Sequence, residues 1–541
     1  MPETQDAPPL RSARRRRDTW PWALAGLGAG AVDLGVAELV AGVVQPTSAP
    51  VVAVGDAFVD RVPAWLKEFA VEAFGTADKA VLLAGAGLVV ALLAAAAGVL
   101  SRRRPVHAQW LVLALGAVAA LAAATRPDAG MLSVLPATLG ALAGVLALGR
   151  LTRVGDAVAP ATPAGSHRPE DQALPHEGSP SGRGPDRRRF LVASAVAAAA
   201  GLVTAAAGRA AAGVLHAADA SRAALQLPAP AARAVLPAGV EVGVPGVVPF
   251  RVPNPDFYRI DTALVVPSVR SEAWRLRIHG MVEQEVELDL QQLLREPLVE
   301  RDLTLVCVSN EVGGGLVGNA RWLGTRIAPL LQRARPLPGA DMVLSTSADG
   351  WTASTPLDVL TDERDALFAV GMNGEPLPVE HGFPVRMVVP GLYGFVSATK
   401  WVVDLEVTRF DRAQAYWTPR GWSERGPVKT QSRIDVPRAG ATVPAGRVAV
   451  AGIAWAQTRG IRAVEVRVDG GPWRPARLGA VPGVDTWRQW VFEWDAAGAG
   501  GGRHTLQVRA TDGTGAAQTG DQAPVAPDGA TGWHTVEVRV G

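Results

Sequence analysis

Residues 303–331 read LTLVCVSNEVGGGLVGNARWLGTRIAPLL. Leu303 to Val308 is a short apolar run, as expected of a buried strand. It carries Cys307, the one cysteine of the chain, and runs into three glycines, Gly313 to Gly315. Ile327 to Ala334 then has helical spacing. A strand end that opens into a glycine-rich loop lets backbone approach a ligand closely. Residue type alone leaves Cys307 open: a small core residue, a nucleophile, or a soft thiolate ligand. The glycine run is not a phosphate-cradling P-loop, because Gly-Lys-Ser/Thr does not follow it.

Outward from this stretch, residues 240–425 alternate strand-like and helix-like pieces. Trp274 to His279 alternates as a strand, Leu288 to Leu294 reads as a short helix, and Asn373-Gly374 is a hairpin turn signal. The pattern is mixed α+β without the regular repeat of a doubly wound sheet. The last 110 or so residues read all-β. Val464, Val466 and Val468 alternate with Glu465 and Arg467, and Trp490, Phe492 and Trp494 share a face. Leu506, Val508 and Ala510 do likewise, as do Val536, Val538 and Val540, which predicts a small β-sandwich. Trp473, Trp487, Trp490, Trp494 and Trp533 are read mainly as core.

The front of the chain is different. Of 541 residues, 48% are hydrophobic and 19% charged, with a net charge of +2, so no nucleic-acid partner is expected. Runs 21–44, 79–100, 108–124, 131–149 and 190–213 have the length and composition of membrane-crossing helices. Only the first holds acids, Asp33 and Glu38. On a helix these two sit roughly 140° apart, a poor carboxylate pair. Arg14 to Arg17, Arg102 to Arg104, Arg150, Arg153 and Arg187 to Arg189 flank the runs, while 45–78 is mildly acidic (Asp56, Asp60, Glu68, Glu72, Asp78). The positive-inside rule then places four helices (1–153), a cytoplasmic Pro/Gly-rich linker (154–189) and a fifth anchor helix (190–213), with everything after about 214 outside the cytoplasm. Arg187-Arg188-Arg189-Phe190-Leu191 fits a twin-arginine export signal, a route that carries folded proteins. A multi-pass cell-membrane protein is expected. One cysteine excludes intrachain disulfides, and Cys-x-x-Cys-His is absent. The apolar runs lack histidine, with His107 and His216 only at their margins, so no haem is expected.

Three stretches resemble the sulfite oxidase superfamily: 303–331 around its molybdenum-ligating cysteine, Phe257 to Asp261 (FYRID), and Met372 to Trp401 (MNGEPLPVEHGFPVRMVVPGLYGFVSATKW). GIRAVEVRVDGGPW (460–473) and ATGWHTVEVRV (530–540) resemble the Ig-like dimerisation domain of the same enzymes. The likeness covers about 240–541, and the front end is similar to that of membrane-bound actinobacterial members. It implies a multi-domain chain: a transmembrane helical bundle, an α+β molybdopterin domain (214–425) and an Ig-like β-sandwich (426–541). It implies a molybdenum–molybdopterin cofactor with Cys307 as the protein's metal ligand. Tyr258 and Arg259 match a pterin-contacting pair, and Arg259 also matches an active-site arginine suited to an oxyanion. Asn310, Ser347, His381, Arg386, Thr399 and Lys400 match cofactor-lining positions, while Arg321 lies in a matching Ala-Arg-Trp stretch without an assigned role. One departure is Val370, where sulfite oxidases are expected to carry a pocket tyrosine. The implied activity is oxygen-atom transfer to or from a small oxyanion or oxide, either as a sulfite-oxidase-like enzyme or as an S-oxide or N-oxide reductase. A non-catalytic envelope scaffold is the remaining reading. A separate electron-transfer partner, membrane association and a homodimer through the last region complete the expectations.

Overall fold

The computed structural model describes residues 19–62, 66, 73, 78–126, 129–158, 186–215 and 218–541. Arg14 to Arg17, Glu68, Glu72, His216 and most of the 154–189 linker lie outside the described residues. The chain divides into two compact units, one reaching Leu215 and the other running from His216 to Gly541 together with Pro63–Leu66.

The first unit is helical: α1 (Trp20–Val44), α2 (Pro50–Arg61), α3 (Asp78–Ser101), α4 (Pro105–Ala124), α5 (Leu135–Val158) and α6 (Asp186–Leu215). All but α2 contain stretches long and apolar enough to cross a membrane. Helix α1 packs on α3, α5 and α6, and glycines set the crossings. Gly26 lies against Gly98, Gly35 against Gly201 and Gly42 against Gly208, where no Cβ would fit. Such small-residue contacts let helix backbones approach closely without a polar core. Asp33 packs on Gly140 and Gly144 of α5, whereas Glu38 faces Arg209 of α6 at 3.8 Å. The two acids therefore serve different helix pairs, as their angular separation requires. Helix α2 was not foreseen, since 45–78 was read for its charge alone. Its Asp56 pairs with Arg126, just beyond α4.

The second unit begins with α7 (Ala218–Ala224). Its strands up to Thr408 are β1 (Arg275–Gly280), β2 (Val286–Asp289), β3 (Leu298–Val306), β4 (Val317–Arg326), β5 (Met342–Ser347), β6 (Thr352–Pro356), β7 (Leu367–Met372), β8 (Glu375–Pro376), β9 (Arg386–Val388) and β10 (Val402–Thr408). Helices α8 (Leu290–Arg295), α9 (Ile327–Ala334) and α10 (Leu357–Thr361) are interspersed. One sheet runs β2-β1-β10-β5-β6, and the other runs β3-β4-β7-β8 with β9 on β7. Only β1 and β10 pair in parallel in this region. Local chemistry explains the elements. A reciprocal capping box of Asp289 and Gln292 starts α8. Asn373 and Gly374, both at positive φ, turn β7 into β8. Both sheets feed one apolar core that includes Trp274, Trp322 and Phe368.

Residues from 431 onward form two further sheets. Their strands are β11 (Gln431–Val436), β12 (Thr442–Val443), β13 (Arg447–Trp455), β14 (Ile461–Val468), β15 (Arg474–Pro475), β16 (Arg477–Leu478), β17 (Arg488–Asp495), β18 (Gly502–Asp512) and β19 (His534–Val540). The orders are β11-β13-β17-β16 and β12-β19-β18-β14-β15. A second apolar core, with Trp490, Phe492 and Trp494 from one sheet and Val464, Leu506 and Val538 from the other, lies between them. Trp473 and Trp533 instead stack edge-to-face at 5.0 Å, half-buried, with Arg467 over both.

Candidate active site

Cys307 is the first residue beyond β3, and the loop it opens returns to the sheet as β4. The loop closes on itself. The Cys307 N–H donates to the Leu316 carbonyl (2.9 Å), and the Leu316 N–H donates to Oδ1 of Asn310 (2.7 Å). Asn310 is buried, so its position after the cysteine is fixed by loop closure. Cys307 is half-buried. Burial pushes its thiol up, while hydrogen bonding from Ser309 pulls the other way.

Phe257 lies at the centre of an aromatic floor. It stacks on Tyr258 (5.2 Å) and meets Trp322 and His381 edge-on at 5.8 and 5.6 Å. Gly318 of β4 admits this ring, since a Cβ there would come within 2.6 Å of it. The Arg386 guanidinium lies 5.0 Å above the Trp322 ring and donates from Nη1 to the His381 carbonyl (3.1 Å). Among the described residues no carboxylate pairs with this buried cation. Burial pushes its pKa down, opposed by Tyr258. Burial pushes the Tyr258 hydroxyl up, Cys307 adding to the rise and Arg386 opposing it. Gly318, against which the Phe257 ring sits, pairs with Leu305 two residues before Cys307, so the aromatic floor lies beside the strand end.

His381 sits in the single turn Val379–His381, its Nε2 hydrogen-bonded to the Asn254 carbonyl at 3.1 Å. That contact requires the proton on Nε2 and leaves Nδ1 as an acceptor. Burial, reinforced by Arg386, pushes its pKa down to about 4, so the ring is neutral at pH 7. Lys400 is held by Asp261 (2.9 Å) and the Glu380 carbonyl (3.1 Å), and burial pushes it down to about 8. Asp261 also accepts from Arg259 at 2.8 Å. Arg259 is exposed and thus joined through Asp261 to the Lys400 cation. Thr399 exchanges a hydrogen bond with Ser345 (2.7 Å). The Ser347 hydroxyl is buried with no hydrogen-bond partner among the described residues.

These placements tie together Cys307, Tyr258, Arg386, His381, Lys400 and Arg259. Asn310 and Thr399 act locally on loop and strand. Arg321 lies elsewhere: its guanidinium pairs with Asp302 at 2.8 Å, which Arg251 also grips at 2.7 Å. Val370 is fully buried in the core, on β7. Sequence reading missed Asp261, although it ends the quoted FYRID, and Asn254, whose contribution is a backbone carbonyl and leaves no residue-type signal.

The donor set fits a molybdopterin. A buried, uncompensated arginine and a lysine of depressed pKa suit an anionic phosphate, and an orphaned buried hydroxyl suits a polar ring system. Among the described residues no group of three or more His, Cys, Asp or Glu could hold a metal. That is compatible with a metal that takes one protein sulfur and draws its other ligands from the pterin.

The family described as "Oxidoreductase molybdopterin binding domain" matches residues 263–417. Human (Homo sapiens) mitochondrial sulfite oxidase is 32% identical over 274 residues, 42% of this chain and 49% of that protein. An uncharacterized oxidoreductase, YuiH of Bacillus subtilis (strain 168), is 33% identical over 153 residues, 28% of this chain and 74% of that protein. The sulfane dehydrogenase SoxCD from Paracoccus pantotrophus matches with a TM-score of 0.46 and 24% identity, covering 55% of this chain and 82% of that one. The chain spans about half the length of the mitochondrial sulfite oxidases it matches. It belongs to the sulfite oxidase superfamily of molybdopterin-dependent oxidoreductases.

Proposed function

We propose that this protein is a membrane-anchored molybdenum oxidoreductase that moves an oxygen atom to or from a small oxyanion or oxide outside the cytoplasm. The observation that carries the reading is Cys307 at the end of β3, with the Phe257–Tyr258 stack seated on Gly318 opposite Leu305, and with Arg386 over Trp322 lacking a carboxylate partner among the described residues. When bound, the cofactor supplies two-electron oxygen-atom chemistry that no side chain here can perform. The chain's task is binding and orientation. Cys307 donates its thiolate to the metal, whose charge holds the sulfur deprotonated against the burial that raises its pKa. Arg386 and Lys400 neutralise the anionic end of the pterin. Tyr258 stays protonated as a donor, and Nδ1 of His381 is an acceptor. Ser347 and Thr399 line the same region, and Asn310 holds the loop. Arg259, exposed and fixed by Asp261, presents a permanent charge to an anionic substrate.

Membrane anchoring is supported by the five long apolar helices and by the large apolar side chains they leave exposed, among them Leu88, Leu92, Val118, Leu121 and Leu202. The arginine clusters support an extracytoplasmic second unit, and Arg187 to Leu191 supports twin-arginine export. We read 214–425 as the molybdopterin domain and 426–541 as an Ig-like domain that dimerises. Electrons pass to or from a separate partner, with no haem in this chain.

Elemental analysis tests the reading. About one molybdenum per chain in purified protein, lost in Cys307→Ala, is expected, since a soft metal needs its soft ligand. Well-folded wild type without molybdenum overturns the proposal. In the loaded protein, sulfite-dependent ferricyanide reduction measured against viologen-driven reduction of methionine sulfoxide gives the direction of transfer.

A further inference from the structure

We propose that Arg433 and His534, on β11 and β19, are positioning residues for Cys307, holding the glycine loop that follows it and through the loop the sulfur itself. The inference rests on the reading of Cys307 as the metal ligand and assigns the C-terminal sheets a part in building the site.

Three consecutive glycines bring no side chains to pack, so beyond the loop's own closure through Asn310 any further restraint comes from neighbouring strands. Nη1 of Arg433 donates to the Gly314 carbonyl at 2.8 Å. The guanidinium is itself fixed by Asp435 at 2.6 Å, and the two side chains are 13% and 7% exposed. The His534 ring lies directly against Gly313, where no Cβ would fit, and Gly313 has φ 80°, which side-chain-bearing residues avoid. Nδ1 of His534 accepts the Ile434 N–H (3.0 Å), so the ring's orientation is set by the neighbour of Arg433. Burial, with Arg433 adding to it and Asp435 opposing, keeps this ring neutral at pH 7.

A second grip lies upstream. Thr304 precedes Cys307 by three residues on β3, an outer strand of its sheet. Its N–H donates to the Asp485 carbonyl (3.0 Å), its carbonyl accepts from Gln457 (2.9 Å) and its hydroxyl accepts the Trp487 N–H (2.8 Å). The C-terminal region therefore satisfies the open edge of the strand leading into Cys307 and pins the loop leading out. A ligand whose rotamer and backbone are fixed before the metal arrives binds it without paying for ordering.

Because Cys307 is the only thiol, its alkylation by N-ethylmaleimide reports loop freedom directly. The full-length chain is prepared in detergent from cells unable to make the cofactor, and labelling is followed by mass spectrometry. Arg433→Ala and His534→Ala are expected to label about tenfold faster than wild type, as local opening becomes easier. Arg433→Lys and His534→Asn, which keep a donor and an acceptor at those places, are expected to return most of the protection. Arg503→Ala, which removes only an exposed ion pair with Glu537, is expected to change nothing. Where an alanine variant loses its near-ultraviolet tryptophan signal, Gly313→Ala replaces it: the new methyl meets the His534 ring and should expose Cys307 to a similar degree. Wild-type labelling rates in folded alanine variants overturn the proposal, and so does equal acceleration in the conservative and alanine forms. No molybdenum is present in this experiment, so its failure is distinct from failure of the metal reading.

Discussion

Arg386 is the residue whose state says most about the site. A buried guanidinium with no carboxylate partner costs free energy unless an anion joins it. Arg386→Met should therefore stabilise or leave unchanged the cofactor-free protein, yet lower its pterin content at least about tenfold, the scale of one charge-assisted contact. Pterin fluorescence after oxidative release, set against the melting temperature of the empty protein, checks both halves. Equal pterin in variant and wild type would remove Arg386 from the site. His381 makes a prediction in pH. Its pKa falls from the ordinary 6.5 to about 4, so between these values the unfolded chain binds more protons than the folded one. Stability is then full above about pH 6.5 and declines as pH falls toward 4, by on the order of 3 kcal/mol for this group. The wild-type denaturation midpoint should fall as pH drops from 6.5 toward 4, and His381→Gln should lose that part of the slope.

Elements place these residues where single-residue reasoning could not. The apolar run Leu303 to Val308, which covers the end of β3 (Leu298–Val306), and the helical Ile327 to Ala334 were legible from the pattern of apolar residues, because burial imposes it on sequence. Their neighbours in the sheet were not. Asp302 on β3 is gripped by Arg251 from a distant loop and Arg321 from β4, and its carboxylate has no exposure. Burial would raise its pKa, but the two arginines reverse the sign and lower it. Asp302→Asn leaves Arg251 without a carboxylate and Arg321 with only Glu300 at 3.5 Å, and should cost about 3 kcal/mol. Guanidinium unfolding followed by tryptophan fluorescence measures this, and a loss under about 1 kcal/mol would show that water compensates the arginines. In the helical unit, the glycine crossings explain why acids at Asp33 and Glu38 are tolerated in an apolar run. Each lies against small residues or an arginine of a different helix.

At the scale of the whole molecule, a helical unit with five helices long and apolar enough to cross a membrane and a unit with two sheet-built regions share one chain. The chain should remain in the membrane fraction after carbonate extraction, and protease added to intact spheroplasts should remove the 218–541 region while sparing the helices. Protection of that region would reverse the proposed orientation. Deleting 426–541 should affect the molybdenum site itself. It removes the partners of Thr304 and the grip on Gly314, so the shortened protein should hold no molybdenum even where it stays soluble.

The sequence by itself determined the number of long apolar helices, the strand and helix around Cys307, and the residues that resemble a molybdopterin site. Those signals are local, written by hydrophobic periodicity, charge clustering and short motifs. Tertiary structure alone decided which of them cooperate. It joined Arg259 to Lys400 through Asp261, turned Arg321 into a partner of Asp302, and buried Val370 in the core. It also brought Arg433 and His534 onto the loop of a cysteine more than a hundred residues away in sequence. Contacts between strands distant in sequence depend on register and sheet order, which no window of neighbouring residues contains.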